Sequence, residues 1–212
     1  MMLKAQQITQ YLLIQYIIIS IILMMLYQGG NLFASETMHY VFDQNYLSDL
    51  GRTKTFSGDE NPYWYIYSIS LLLVGVGTFL FFYLTSRSII QKKKIFVRFF
   101  ALVSGLGYIG IAISPVDTNF KQHILSGQFA YFSFFFAGIL LNILMDKKAF
   151  PFIFKWFLFL NFLLSAFLLL SLFGPHSTEG IWALSLKTIA QKVMIIAQLG
   201  VSLIVLRKIE IS

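Results

Sequence analysis

Three histidines and a few carboxylates are the side chains here whose chemistry could be more than structural. His123 follows Asp117 by six residues, His176 precedes Glu179 by three in the stretch GPHSTEG, and His39 stands alone upstream. Ser48 and Asp49 adjoin in NYLSDLG. A histidine beside a carboxylate suits general-base work. Histidine and carboxylate donors together suit zinc, and three protein ligands with one open position suit a catalytic zinc site. If 176–179 were helical, His176 and Glu179 would share a face. The candidate catalytic groups are therefore His123, Asp117, Asp49 and Ser48, and the candidate metal donors His123, His176, His39, Asp117 and Glu179. Against this, no His-x-x-x-His pair occurs and no nucleophile stands out. The simpler reading, which the spacing favours, is that these groups cap helix starts, satisfy turns and face water. Asp117-Thr118-Asn119 after Pro115 is ordinary turn chemistry, and Ser48-Asp49 would open a short helix that ends at Gly51. No cofactor is expected, and zinc is the one metal these donors would take. The chain has no cysteine, so disulfides, thiolate metal sites and cysteine nucleophiles are excluded.

The elements that must position these groups are membrane helices. Of the 212 residues 58% are hydrophobic and only 12% charged, too apolar for a soluble fold to bury. The apolar residues gather into six blocks, 9–28, 63–85, 95–114, 123–145, 150–173 and 186–206, each near the length a helix needs to cross a bilayer. No block alternates as a barrel strand would. The expected fold is all-α: one integral membrane domain over 1–212, a bundle of six helices. The first block is too long for a signal h-region, and Leu32 and Phe33 spoil a cleavage pattern, so it reads as a retained helix. The last is the weakest block, because Lys187, Gln191 and Lys192 intrude into its first turns; its lysines would snorkel to the interface.

Charge sets the orientation. Lys4, Arg87, Lys92, Lys93, Lys94, Arg98, Lys147, Lys148, Lys155, Arg207 and Lys208 all fall on one side, eleven of the sixteen basic residues. The positive-inside tendency makes that side cytoplasmic, with both termini inside and the chain in a plasma (bacterial inner) membrane. The net charge of +7 is accounted for this way, and nucleic acid is not an expected partner. The opposite side then holds all three histidines and seven of the nine carboxylates. It also holds the longest connection, 29–62, which has enough apolar residues to pack as a lid over the outer mouth.

Small residues predict the closest packing. Ser126, Ala130, Ser133 and Ala137 line one face of the fourth helix; Ala101, Gly105 and Ala112 line a face of the third, with Ser104, Gly107 and Gly110 nearby. The two should form a tight antiparallel hairpin with Asp117, Lys121 and His123 at its outer tip. Asn161, Gln191, Gln198 and Ser202 should make hydrogen bonds between helices. No ionisable side chain is expected near the midplane, which disfavours a proton pump or voltage sensor.

Two short blocks carry a resemblance. NYLSDLG at 45–51, followed by an aromatic-rich helix with VGVG, and GLGYIGIAISPVDTNFKQH, ending at His123, together resemble the prokaryotic domain-of-unknown-function family 998. Its members resemble the wider six-helix group of the Frag1, DRAM and Sfk1 families. Ser48, Asp49, Leu50, Gly51, Pro115, Asp117 and His123 match the two motifs; Ser114 stands where phenylalanine is more usual. The resemblance implies a six-helix fold, no settled activity, and both motifs at one outer mouth. Some distant relatives act in lipid remodelling or distribution, an analogy of fold.

Three functions are open. The first is a lipid-interacting protein or membrane-complex component, with membrane lipids and other membrane proteins as partners and a polar site at the outer face. The second is a hydrolase or transferase acting on lipid at the outer leaflet, with His123 as base or metal ligand. The third is a small transporter.

Overall fold

Every apolar block folds as one long helix. The computed structural model describes residues 2–89, 92–147 and 150–209; Lys148, one of the basic residues that set the expected orientation, lies outside them. The helices are α1 (Met2–Leu26), α2 (Trp64–Thr85), α3 (Lys94–Ile113), α4 (Phe120–Leu144), α5 (Pro151–Phe173) and α6 (Ile181–Ile209). All six are long and apolar enough to cross a membrane, and the protein is a multi-pass membrane protein. Helices consecutive in the chain are neighbours in space, and α6 packs back against α1. The loops 27–63, 114–119 and 174–180 meet at one end, the lid end. The loops rich in lysine and arginine lie at the other, the basic end.

Helix limits differ from the sequence expectation mainly where turns carry hidden cues. α5 starts at Pro151, whose missing N–H costs nothing at a first helical position. α4 starts at Phe120, after a turn closed by Asn119 N–H on the Pro115 carbonyl at 2.9 Å. α6 starts at Ile181, directly after Gly180 at φ +137°, a conformation that suits glycine. Lys187 and Lys192 therefore lie well inside α6 rather than at its edge.

Small residues set the helix contacts, on the expected face of α4 but on a different face of α3. The α3–α4 hairpin is tight, but α3 meets α4 through Ser104, Gly107 and Gly110. A Cβ on Gly107 would lie 2.4 Å from the Ala130 nitrogen, and one on Gly110 2.5 Å from Ser126 Oγ. The Ser104 hydroxyl donates to the Ala130 carbonyl at 2.8 Å. Gly105 faces α2 instead, where it and Gly75 sit against each other's carbonyl oxygens. On α1, Gln15 pairs reciprocally with Ser70 of α2, its Nε2 donating to the Ser70 carbonyl at 3.0 Å and its Oε1 accepting from the Ser70 hydroxyl at 2.8 Å.

The two halves of the bundle are filled differently. Near the basic end Phe81 and Phe82 of α2 meet Phe134 of α4 and Phe157 of α5, all fully buried, with Phe82 and Phe134 centroids 4.8 Å apart. Edge-to-face rings of this kind make a dense plug. Toward the lid end the bundle axis is hollow.

The lid, 27–63, packs as a folded cap containing a short 3-10 helix, Leu47–Gly51. Asn45, fully buried, organises it. Its Nδ2 donates to the Gly30 carbonyl at 2.8 Å and to Asp49 at 3.2 Å, and its Oδ1 accepts from the Val41 N–H at 2.9 Å. Asn61 does the same for the second half, donating to the Leu50 and Arg52 carbonyls, both at 3.0 Å.

Candidate functional site

The lid is fastened to the bundle by polar side chains from distant parts of the chain. Asp117, in the α3–α4 turn, accepts from the Thr53 N–H at 3.0 Å, the Thr53 hydroxyl at 2.6 Å and the Lys54 N–H at 2.9 Å. Gln191 on α6 accepts from the Leu47 N–H at 2.9 Å. Thr188 donates to the Asp43 carbonyl, and Ser185 to the Asp43 carboxylate at 3.2 Å. Tyr46 and Ser177 share a hydroxyl–hydroxyl bond. Lys192 does not snorkel to water. It is 2% exposed, and its ammonium donates to the Asn45 carbonyl under the Tyr40 and Phe42 rings, 5.4 and 5.1 Å from their centroids. Ring faces attract cations, so the lid replaces water around this charge. Burial first, then the negative charge of Asp49, pushes the Tyr27 and Tyr40 phenols above their ordinary value.

Beneath the lid lies a cavity of about 760 Å³. It descends to Val74 on α2 and Phe132 on α4, ten and twelve residues from the lid ends of those helices. At 1.5 Å per residue that is about 15–18 Å, about half the thickness of a hydrocarbon core. Its mouth is polar, with Arg52, Asp49, Asp117, His123, His176 and Lys187. Its flanks are apolar, with Leu71, Ile111, Phe167, Leu168, Ile195 and Leu199. Two buried polar pairs stand within it. Tyr16 and Tyr67 hydroxyls are 2.9 Å apart, and the Tyr108 hydroxyl donates to Gln198 Oε1 at 3.0 Å. Gln198 is 1% exposed, and its Nε2 has no partner among the described residues. An unmet buried donor costs about 1–3 kcal/mol unless something in the cavity accepts from it.

The candidate residues separate into those that line this cavity and those that do not. Ser48, Asp49, Asp117, His123 and His176 line it. His39 is exposed on the lid, and Glu179 is spent on the His176 N–H at 2.8 Å. Among the described residues no three histidine, aspartate or glutamate side chains come together to hold a metal ion. His123 is oriented by a carbonyl rather than a carboxylate: its Nδ1 lies 2.7 Å from the Ser114 oxygen. A carbonyl can only accept, so Nδ1 carries a proton. Asp117, the expected orienting group, is turned to the lid.

The two carboxylates at the mouth, Asp49 and Asp117, are in contrasting surroundings. Asp49 is buried; burial lifts its pKa from 3.8 to about 6, against smaller downward pulls from Arg52, Asn45 and the Tyr46 N–H. Burial works upward on Asp117 too, but the bonds from Thr53 and Lys54 outweigh it and hold that group below its ordinary value.

Gln191, Gln198 and Lys192 at the site, and Asn161 on α5 away from it, stand out in the sequence as polar residues within apolar helices, yet their partners are not readable there. Gln191 binds the lid, Gln198 binds α3, and Asn161 Oδ1 presses on Gly138 of α4 with no partner of its own among the described residues. Ser202 bonds within its own helix, to the Gln198 carbonyl. Arg52, Tyr16, Tyr67 and Tyr108 carry no local signal at all.

The family model described as "Protein of unknown function (DUF998)" matches residues 33–205, from the lid to near the end of α6. The chain belongs to that family. No curated protein and no solved structure matches it.

Proposed function

We propose that this protein holds a single membrane amphiphile in the cavity under its lid, with the lid end facing the outside of a bacterial inner membrane and both termini in the cytoplasm. One observation carries the reading: a cavity within the lid half of a membrane bundle whose mouth is polar and whose flanks are apolar. That gradient matches a molecule with a polar head and a hydrocarbon tail. The unmet Gln198 donor adds a place for an acceptor such as an ester carbonyl. Volumes of about 300–1,000 Å³ enclose most of a drug-sized ligand, so headgroup, glycerol and the first acyl carbons fit here. The basic end supports the orientation through the positive-inside tendency.

Hydrolysis or group transfer is not part of the proposal. No hydrogen bond joins Ser48 to His123 among the described residues, and the His123 ring is held by a backbone carbonyl.

Gly127 supplies the test. It lines the cavity, and a Cβ there would meet only Ile111 Cδ1, at 4.0 Å. Gly127→Phe should fill the cavity without disturbing the helices. Native mass spectrometry of the gently solubilised protein should show one retained lipid per chain, absent from the variant. Equal retention by both proteins would sink the proposal.

A further inference from the structure

Resting on the lipid-holding reading, we infer that the occupant is a phospholipid with an anionic headgroup, which enters sideways from the bilayer between the lid halves of α4 and α5, with its phosphate on Lys187 and Arg52.

The side entrance follows from how α4 and α5 diverge. They are joined at the basic end by the short 145–150 connection. They touch at mid-depth, where a Cβ on Gly138 would come within 2.6 Å of Asn161 Oδ1. Nearer the lid, the Tyr131 and Phe167 rings still meet edge to face, 5.4 Å apart. Beyond that pair no ring contact or hydrogen bond joins the two helices among the described residues. Ile124 on α4 and Leu172 on α5 both line the cavity and are 43% and 50% exposed. Lining side chains that stay this uncovered mark the rim of an opening. Gly127, with almost nothing around its missing side chain, thins the α4 wall at the same level. The α3–α4 seam at that height is shut, with Gly110 against Ser126.

The headgroup follows from which charges are already used. Both carboxylates at the mouth are turned to protein donors: Asp117 to Thr53 and Lys54, Asp49 to the Tyr46 N–H and Asn45. The cations keep donors to spare, although the Arg52 guanidinium lies over the Phe56 ring, 4.0 Å from its centroid. Lys187 has no hydrogen-bond or ion-pair partner among the described residues. Arg52 spends Nε on the Lys54 carbonyl, and its Nη1 is 4.0 Å from Asp49, at the outer limit of an ion pair. Two cations with spare donors, beside Asp117 with both oxygens bonded and Asp49 with Oδ2 bonded twice, favour an anionic ligand, and a guanidinium fork matches phosphate oxygens. A soluble phosphate would leave the apolar flanks wet and give the side opening no purpose; a phospholipid satisfies both ends.

The experiment uses the whole protein in phosphatidylcholine vesicles, with a trace of phosphatidylglycerol or phosphatidylcholine bearing a photoactivatable diazirine on the acyl chain near the ester. Adducts are located by peptide mass spectrometry. The phosphatidylglycerol probe should label 120–132 and 167–172 in preference to the phosphatidylcholine probe. Lys187→Gln should cut that labelling at least about tenfold, the loss expected for one hydrogen bond to a charged group, with unchanged thermal stability. Equal labelling by both probes would overturn the headgroup assignment. Cavity adducts confined to α1, α6 or the lid would overturn the side entrance while leaving the lipid-holding reading intact. Absence of cavity adducts from either probe would remove that reading itself. Added glycerol 3-phosphate should not compete; if it displaces the probe, the phosphate comes from water and the side entrance falls.

Discussion

Asp117 grips Thr53 through both its backbone and its hydroxyl, across a sequence separation of 64 residues. This clasp ties the lid to the α3–α4 turn. Replacing Asp117 with alanine leaves two backbone N–H groups and a hydroxyl to find water. Bonds to a charged acceptor are worth about 1.5–3 kcal/mol each and do not add simply, so local opening of 52–56 should become cheaper by about 2–3 kcal/mol. Hydrogen exchange of the Thr53 and Lys54 amides should accelerate accordingly, while amides deep in α3 keep their protection.

Asp49 of the lid and Asp117 of the α3–α4 turn should give opposite pH responses in separate windows. Asp49 titrates at about 6 in the folded lid and near 3.8 when unfolded. The folded state therefore holds its proton longer, and stability falls as pH rises from 3.8 through 6, by about 3 kcal/mol in all. Asp117 is held below 3.8, so its contribution is present above that value and lost as pH falls through its folded pKa. Thermal scans in detergent should place the lid's greatest stability near pH 4, between the two windows. Asp49→Asn should flatten the upper slope and leave the lower one.

Glycines on α3 should differ sharply from the cavity glycine. Gly107→Leu drives a side chain into the Ala130 backbone, which cannot yield without parting α3 from α4. Overpacking typically costs about 1–3 kcal/mol and more where backbone must move, so this variant should fail to give a monodisperse peak on size exclusion. Gly127→Phe, in the same hairpin, should elute like the native protein.

Tyr108 and Gln198 should behave as a coupled pair. Either Tyr108→Phe or Gln198→Leu alone leaves a buried partner unmet, at about 1–3 kcal/mol. The double variant removes both, together with the orphan Nε2, and should recover most of that loss. A double-mutant cycle of unfolding in detergent measures the coupling, and two losses that simply add would refute the pairing.

The helices were legible because membrane crossing is a local property: length and hydropathy decide it, and no distant residue is needed. Pairings were legible only where a helix offers one small-residue face. α3 carries small residues most of the way round, so spacing could not say that Gly107 meets α4 while Gly105 meets α2. Lys192 was expected at the interface because its partner, the Asn45 carbonyl, lies 147 residues away on a lid whose fold the sequence does not spell out. Asp117 and His123 did reach one mouth as their motifs implied, yet they are held by Thr53 and by the Ser114 carbonyl rather than by each other. The cavity had no local signature, since it arises where side chains on all six helices fail to meet.

The lid is made early and fastened late. Its residues leave the ribosome right after α1, but Gln191, Thr188 and Lys192, which hold Leu47, Asp43 and Asn45, follow 144 to 147 residues later on the last helix. Before α6 is made the cap has Asn45 within it and the Asp117 clasp to the α3–α4 turn, but no hold on the α6 side, where the hollow beneath it stands open to the surrounding bilayer while the bundle assembles in chain order. Insertion of α6 is then the event that completes the wall of the site, so a chain truncated before 185 should make five helices and a cavity lacking one side.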